Sequence, residues 1–221
     1  MGGPLSMPID TLAVTLVVGI GAGVLAALRQ NTWVDQAAMM VAMLGISIPN
    51  FFLGLLFIIW FAVGLGWLPT GGYVAFTDDP WGWFRTSTMP AVSLALLNVG
   101  LLARVTRSTM LEVLRQDYVR TARAKGLPRY LVVGKHALAN AMIPITTVVG
   151  IIISLLVSGS VVTETLFSIP GIGQLLTSAV LGRDYLMVQG GLLLVTALLV
   201  LINLGVDMLY AALDPRIRYG R

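Results

Sequence analysis

Apolar residues in this chain fall into five long runs, at residues 9–28, 37–65, 89–107, 141–163 and 186–213, separated by polar intervals. A helix rising about 1.5 Å per residue needs roughly 20 residues to cross about 30 Å of hydrocarbon, and each run approaches or exceeds that length. Backbone groups in lipid must pair within their own segment, and nothing in the chain alternates with the period of a barrel strand. The pattern predicts an all-α polytopic membrane protein of about five transmembrane helices. No tandem repeat or low-complexity linker interrupts it, so residues 1–221 are expected to form one membrane domain.

The composition agrees. Only 11% of the 221 residues are charged, against roughly 25% in soluble domains, and the mean hydropathy is +0.89. A pI near 9.8 raises the question of nucleic acid. The basic residues lie at the ends of apolar runs and not across one face, which argues for the bilayer as partner and against nucleic acid. The absence of cysteine excludes disulfides, thiolate metal sites and a cysteine nucleophile.

Charge also predicts orientation. Of the 14 lysines and arginines, all but Arg85 and Arg183 lie after the first run, around the interval between the third and fourth, or at the C-terminus. The positive-inside rule then puts the C-terminus in the cytoplasm and the N-terminus outside. The first run lacks a basic n-region and a cleavage site, so it is expected to be a permanent span. Within it, Gly19 and Gly23 form a GxxxG step that permits close helix approach.

The two outer connections carry their own signals. Residues 66–88 hold Trp67, Tyr73, Trp81, Trp83 and Phe84, rings suited to the headgroup zone, and an Asp78-Asp79-Pro80 turn. Residues 164–185 hold Pro170, Gly171 and Gly173, which predict a turn or re-entrant dip, with Glu164 read as the outer boundary of the fourth span.

The most informative stretch is residues 117–144, where Arg120, Arg123, Lys125, Arg129 and Lys135 face only Asp117. An acid at the start, Ala122 and Ala124 within, and basic residues before Gly126 and Pro128 predict a short surface helix. Gly126 is its expected C′ residue with positive φ, and a second helix begins near Arg129 and enters the membrane at Pro144. A loop that only fixes topology needs charge alone. A helix–turn–helix on the inner surface is a shape for a partner's groove.

Within the runs, Asn98 and Asn203 are candidate pathway residues, with interhelical hydrogen bonding as the alternative. Asp207 is expected to bond locally to Arg216 or Arg218. His136 has no acid at ligand spacing, so no metal site or general base is assigned. Gly21-Ala22-Gly23 and Gly171-Ile172-Gly173 lack the Gly-Lys-Ser/Thr of a phosphate loop, so no catalytic residue or cofactor is assigned.

Tyr118-Val-Arg-Thr-Ala-Arg-Ala-Lys-Gly-Leu, followed by His136-Ala-Leu-Ala-Asn-Ala-Met-Ile-Pro144, resembles the EAA loop of ABC importer permeases of the dipeptide/oligopeptide and nickel group. The resemblance extends to Glu164-Thr-Leu-Phe-Ser-Ile-Pro-Gly-Ile-Gly-Gln, to Arg183-Asp-Tyr and to residues 207–219, nearly the whole chain in the expected order. It implies the type I importer permease fold, in a bacterial or archaeal cell membrane. The loop, about 112–140, would carry a coupling helix in which Arg120, Thr121, Ala122, Arg123, Ala124, Lys125, Gly126, Leu127 and Pro128 meet a cytoplasmic ATPase. The generic Glu-Ala-Ala positions fall on Arg120, Thr121 and Ala122, and the later generic proline on Ala139, so the acid and that proline are missing here. Implied partners are a homologous second permease, two cytoplasmic ATP-binding subunits and an extracytoplasmic solute-binding protein. The implied substrate is a short peptide, with nickel chelates or glutathione as alternatives. A secondary transporter or channel fits less well, because it needs membrane-buried acids or a filter. The family has six spans and a cytoplasmic N-terminus, whereas the first run here resembles its second span. A shortened reading frame and a shorter protein both remain open.

Overall fold

The computed structural model describes residues 6–159 and 161–213, and every regular element among them is helical. Arg216, Arg218 and the side chain of Asp207 lie outside the described parts.

Helix α1, Ser6–Leu28, is a single rod. Its buried Thr11 and Thr15 hydroxyls donate to the carbonyls of Met7 and Thr11 at 2.9 and 2.7 Å, which satisfies them without a partner helix.

The second apolar run was expected to be one span. It is instead a bent pair, α2 (Trp33–Ser47) and α3 (Asn50–Phe57), the latter continuing as a π-helical segment, Ile58–Gly64, with a bend of 100° between the two. The cause is Pro49. A residue before proline is driven out of the helical region, and Ile48 sits at φ −94°, ψ 125°. Among the described residues four helices are long and apolar enough to cross a membrane, or five if the bent pair counts as one span.

Helix α4, Pro80–Leu114, has 35 residues and so runs about 52 Å, well beyond the expected 89–107. Asp78-Asp79-Pro80 is its start and not an isolated turn. Pro80 occupies the first helical turn, where its missing N–H costs nothing, and the Asp79 carboxylate accepts the Trp81 N–H at 3.0 Å.

Helix α4 is the axis of the bundle. Leu94, Leu102 and Met110 are buried along it with Ile145, Ile152 and Phe167 from later elements. Helix α1 lies against it in parallel, with Gly19 over Leu102 and Gly23 over Thr106. A Cβ on Gly23 would sit 2.5 Å from the Thr106 Cβ and 2.6 Å from the Ala103 carbonyl, so the GxxxG step is the contact surface itself. Helix α2 runs antiparallel to α4, with Gly45 against the Leu96 carbonyl and Gly100 against that of Ala42.

Beyond α4 come α5 (Asp117–Ala124), the single turn α6 (Arg129–Leu131), a π-helical stretch (Val132–Leu138) and α7 (Ala139–Gly159). Helices α8 (Val161–Leu166) and α9 (Ile172–Leu181) then fold back, and α10 (Tyr185–Leu213) returns antiparallel to α7, with Val206 beside Gly150. The connection before α4 and the one after α8 are joined: the Gly72 N–H donates to the Phe167 carbonyl at 2.8 Å.

Candidate coupling surface

Helix α5 is too short to hold itself together in water. It is held by a small apolar cluster in which Val119, Ala122 and Val132 are buried against Val113 and Leu114 of α4. Asp117 in the first turn and Arg123 in the last complement the helix dipole.

The end of α5 is a Schellman closure. The Gly126 N–H donates to the Arg123 carbonyl at 2.9 Å and the Leu127 N–H to that of Ala122 at 3.4 Å. Gly126 has φ +75°, as the sequence predicts. Pro128 then caps the next helical turn, and helix is continuous from residue 129 to 159. The turn at Gly126–Pro128 is therefore a short hydrogen-bonded link between a surface helix and a long span.

Of the nine sequence-predicted residues, the structure turns Ala122 inward and leaves the other eight exposed. Helical spacing puts Asp117, Arg120, Thr121 and Ala124 opposite the buried Val119–Ala122 stripe. Asp117 and Arg120 approach to 3.5 Å, an exposed pair of little energetic weight. Arg123, Leu127 and Arg129 turn instead toward a cleft of about 590 Å³ beneath α5, against Leu28 of α1 and Leu111 of α4.

The two pathway candidates are not brought together. Asn98 is buried on α4, its amide donating to the Leu94 carbonyl at 3.0 Å. Asn203 accepts from the Ser154 hydroxyl at 3.0 Å and lines a cleft of about 390 Å³ between α7 and α10.

Two acids matter more than the sequence reading allowed. Asp35, 3% exposed, receives Nε and Nη2 of Arg107 at 2.5 and 2.6 Å and the Asn31 N–H at 2.9 Å. This fork ties the α1–α2 turn to α4, 72 residues away. Sequence offered only an isolated acid near the end of the first connection and an arginine counted for topology.

Glu164 is likewise no simple boundary. It is buried, accepts the Gln174 N–H at 3.1 Å, and lies so close to Gly171 that any Cβ there would collide with the carboxylate. The turn between α8 and α9 is folded around it.

Known proteins can be set beside this arrangement. The family described as "Binding-protein-dependent transport system inner membrane component" matches residues 19–219. The chain is 50% identical over 215 residues to a putative peptide transport system permease protein of Brucella abortus (strain 2308), covering 97% of this chain and 68% of that one. It is 41% identical over 235 residues to the dipeptide transport system permease protein DppB of Alkalihalophilus pseudofirmus, with 97% and 71% covered. Against the glutathione transport system permease protein GsiC of Escherichia coli O1:K1 the identity is 43% over 215 residues, with 97% and 68% covered. The fold matches a chain from inward-facing structures of the MetNI methionine ABC transporter, with a TM-score of 0.76, 20% identity, and 96% and 93% of the two chains covered. The chain thus belongs to the family of binding-protein-dependent transport system inner membrane components.

Proposed function

We propose that this chain is a permease subunit of an ATP-driven importer, that it forms half of a membrane pathway for short peptides, and that α5 with the Gly126–Pro128 turn is where ATP-binding subunits act on it. The observation that carries the coupling role is the unbroken helix from residue 129 to 159. A displacement of the exposed face of α5 is passed through a closed turn to a span that packs on both α4 and α10, so a rigid shift at the inner surface becomes a movement of the pathway.

Peptide as the substrate class is supported by the names of the relatives, which include peptide, dipeptide and glutathione permeases, glutathione being itself a tripeptide. The distribution of basic residues supports a cytoplasmic α5 and C-terminus. A second permease is supported by α10, whose Leu186, Leu193, Leu194, Val200, Leu201 and Leu204 are exposed on the chain alone. On this reading an extracytoplasmic binding protein delivers the solute to the outer connections, and ATP-driven closure of two cytoplasmic subunits pulls on α5.

The test uses the assembled transporter with Gly126→Val and Gly126→Asn. No atom lies within 4 Å of a Cβ at Gly126, so the bundle folds in both, and only the φ of +75° is challenged. A β-branched residue is strained there by about 1–2 kcal/mol, whereas asparagine visits that region. Valine is expected to lower solute-stimulated ATP turnover at least tenfold and asparagine to preserve it. Equal turnover in all three proteins would refute the coupling assignment.

A further inference from the structure

The cleft beneath α5 is not needed for the docking face described above. Its volume is about 590 Å³, and its floor includes Leu28, Leu111, Leu114 and Val132. Three arginines from three separate elements share its lining: Arg115 at the end of α4, Arg123 on α5 and Arg129 at the start of α6. No carboxylate lines it. The ion pairs among the described residues are Arg107–Asp35 and Arg120–Asp117, so these three have no ion-pair partner within them.

Like charges gathered on one cleft repel each other unless an anion lies between them. The apolar floor says what kind of anion. A free phosphate has no use for leucine and valine side chains, whereas a phospholipid brings a phosphate and a hydrocarbon chain together in one molecule. Position agrees, because the cleft opens where α1 ends at Leu28 and α4 ends at Leu114. Trp33 and Tyr130, close in sequence to the lining residues, are 77% and 73% exposed, as expected for rings at a membrane–water interface.

We propose that this cleft is a binding site for one anionic phospholipid of the inner leaflet, its phosphate held by Arg115, Arg123 and Arg129 and its upper chain laid over Leu111, Leu114 and Val132. The inference rests on the membrane placement of α1 and α4 and not on the docking of ATP-binding subunits. The guanidinium of Arg123 is committed to the lipid, which leaves Arg120, Thr121 and Ala124 for a protein partner. Bound lipid would then set the height of α5 above the bilayer.

The test is native mass spectrometry of the purified chain titrated with phosphatidylglycerol, phosphatidylcholine or inorganic phosphate. The triple change Arg115→Gln, Arg123→Gln, Arg129→Gln is compared with Arg104→Gln, Lys135→Gln, Arg183→Gln, which removes the same charge away from the cleft. The wild type and the control are expected to hold one phosphatidylglycerol about 100-fold more tightly than the cleft variant. Phosphatidylcholine is expected to bind weakly to all three proteins, and millimolar phosphate to displace nothing. Should the cleft triple fail to fold, Arg123→Gln alone is expected to weaken retention about fivefold. Equal retention by wild type and cleft variant overturns the proposal, as does an equal loss in the control. Displacement by phosphate would make the cleft a small-anion site, and displacement by added ATP-binding subunits would make it a protein contact; either contradicts lipid binding.

Discussion

Replacing Arg107 by methionine removes both donors that Asp35 receives from α4 and leaves that carboxylate buried with one backbone N–H from Asn31. Breaking a buried pair from one side costs about 3–5 kcal/mol, because the remaining charge has lost its compensation. Arg107 keeps 26% of its side chain open against 4% for Asp35, so water reaches one end of the pair and the lower figure, about 3 kcal/mol, is expected. The double change Asp35→Leu, Arg107→Met removes both charges from the same space. It should return to within about 1 kcal/mol of the wild type, since burying two apolar side chains replaces a pair whose desolvation offset most of its attraction. The Asn31 N–H freed in that protein lies on an exposed residue and can bond to water. The assay is reversible unfolding in mixed micelles followed by circular dichroism, reading midpoints at constant slope. If Arg107→Met unfolds within about 0.5 kcal/mol of the wild type, or if the double variant is no better than the single one, the fork does not hold α2 to α4.

Two further expectations use the same assay. Gly23→Ala forces a Cβ to 2.5 Å from Thr106 on α4 and should destabilise by about 1–3 kcal/mol. Gly21→Ala, with nothing within 4 Å, should be neutral or gain up to about 1 kcal/mol from helix propensity. Equal effects would mean that α1 and α4 are not in close contact there. Glu164→Ala strips the acceptor from the Gln174 N–H and should cost about 1–3 kcal/mol, while hydrogen exchange in α9 rises. Unchanged exchange at Gln174 would remove Glu164 from its place at the centre of the turn between α8 and α9.

The sequence made some of this legible for physical reasons that can be stated. Hydropathy located α1, α7 and α10 because lipid demands long apolar helices. The Gly126-Leu127-Pro128 breaker located the Schellman turn because few residues other than glycine adopt φ +75° without strain. Apolarity is also why the bend at Ile48-Pro49 was passed over: a run that stays oily through a proline reads as one span although its backbone turns by 100°. The Asp35–Arg107 fork was hidden because pairing across 72 residues leaves no local pattern. Glu164 was misread for a related reason, since an acid at the end of an apolar run looks like a boundary until the chain folds back over it. In the sequence Arg115 and Arg129 stand only as charge and Arg123 as a coupling-helix residue, and the packing of α4, α5 and α6 brings the three to one cleft.

The measurement that most directly tests the coupling surface exploits the absence of cysteine from the chain. Thr121→Cys, on the exposed face of α5, and Thr77→Cys, in the opposite connection, are each labelled with a membrane-impermeant maleimide in spheroplasts and in inside-out vesicles. Thr121→Cys is expected to react only in inside-out vesicles and to be shielded once ATP-binding subunits are assembled, while Thr77→Cys reacts only in spheroplasts. Reaction of Thr121→Cys from the outer side, or full reactivity in the assembled complex, would contradict the placement of α5 as the contact through which ATP drives the pathway.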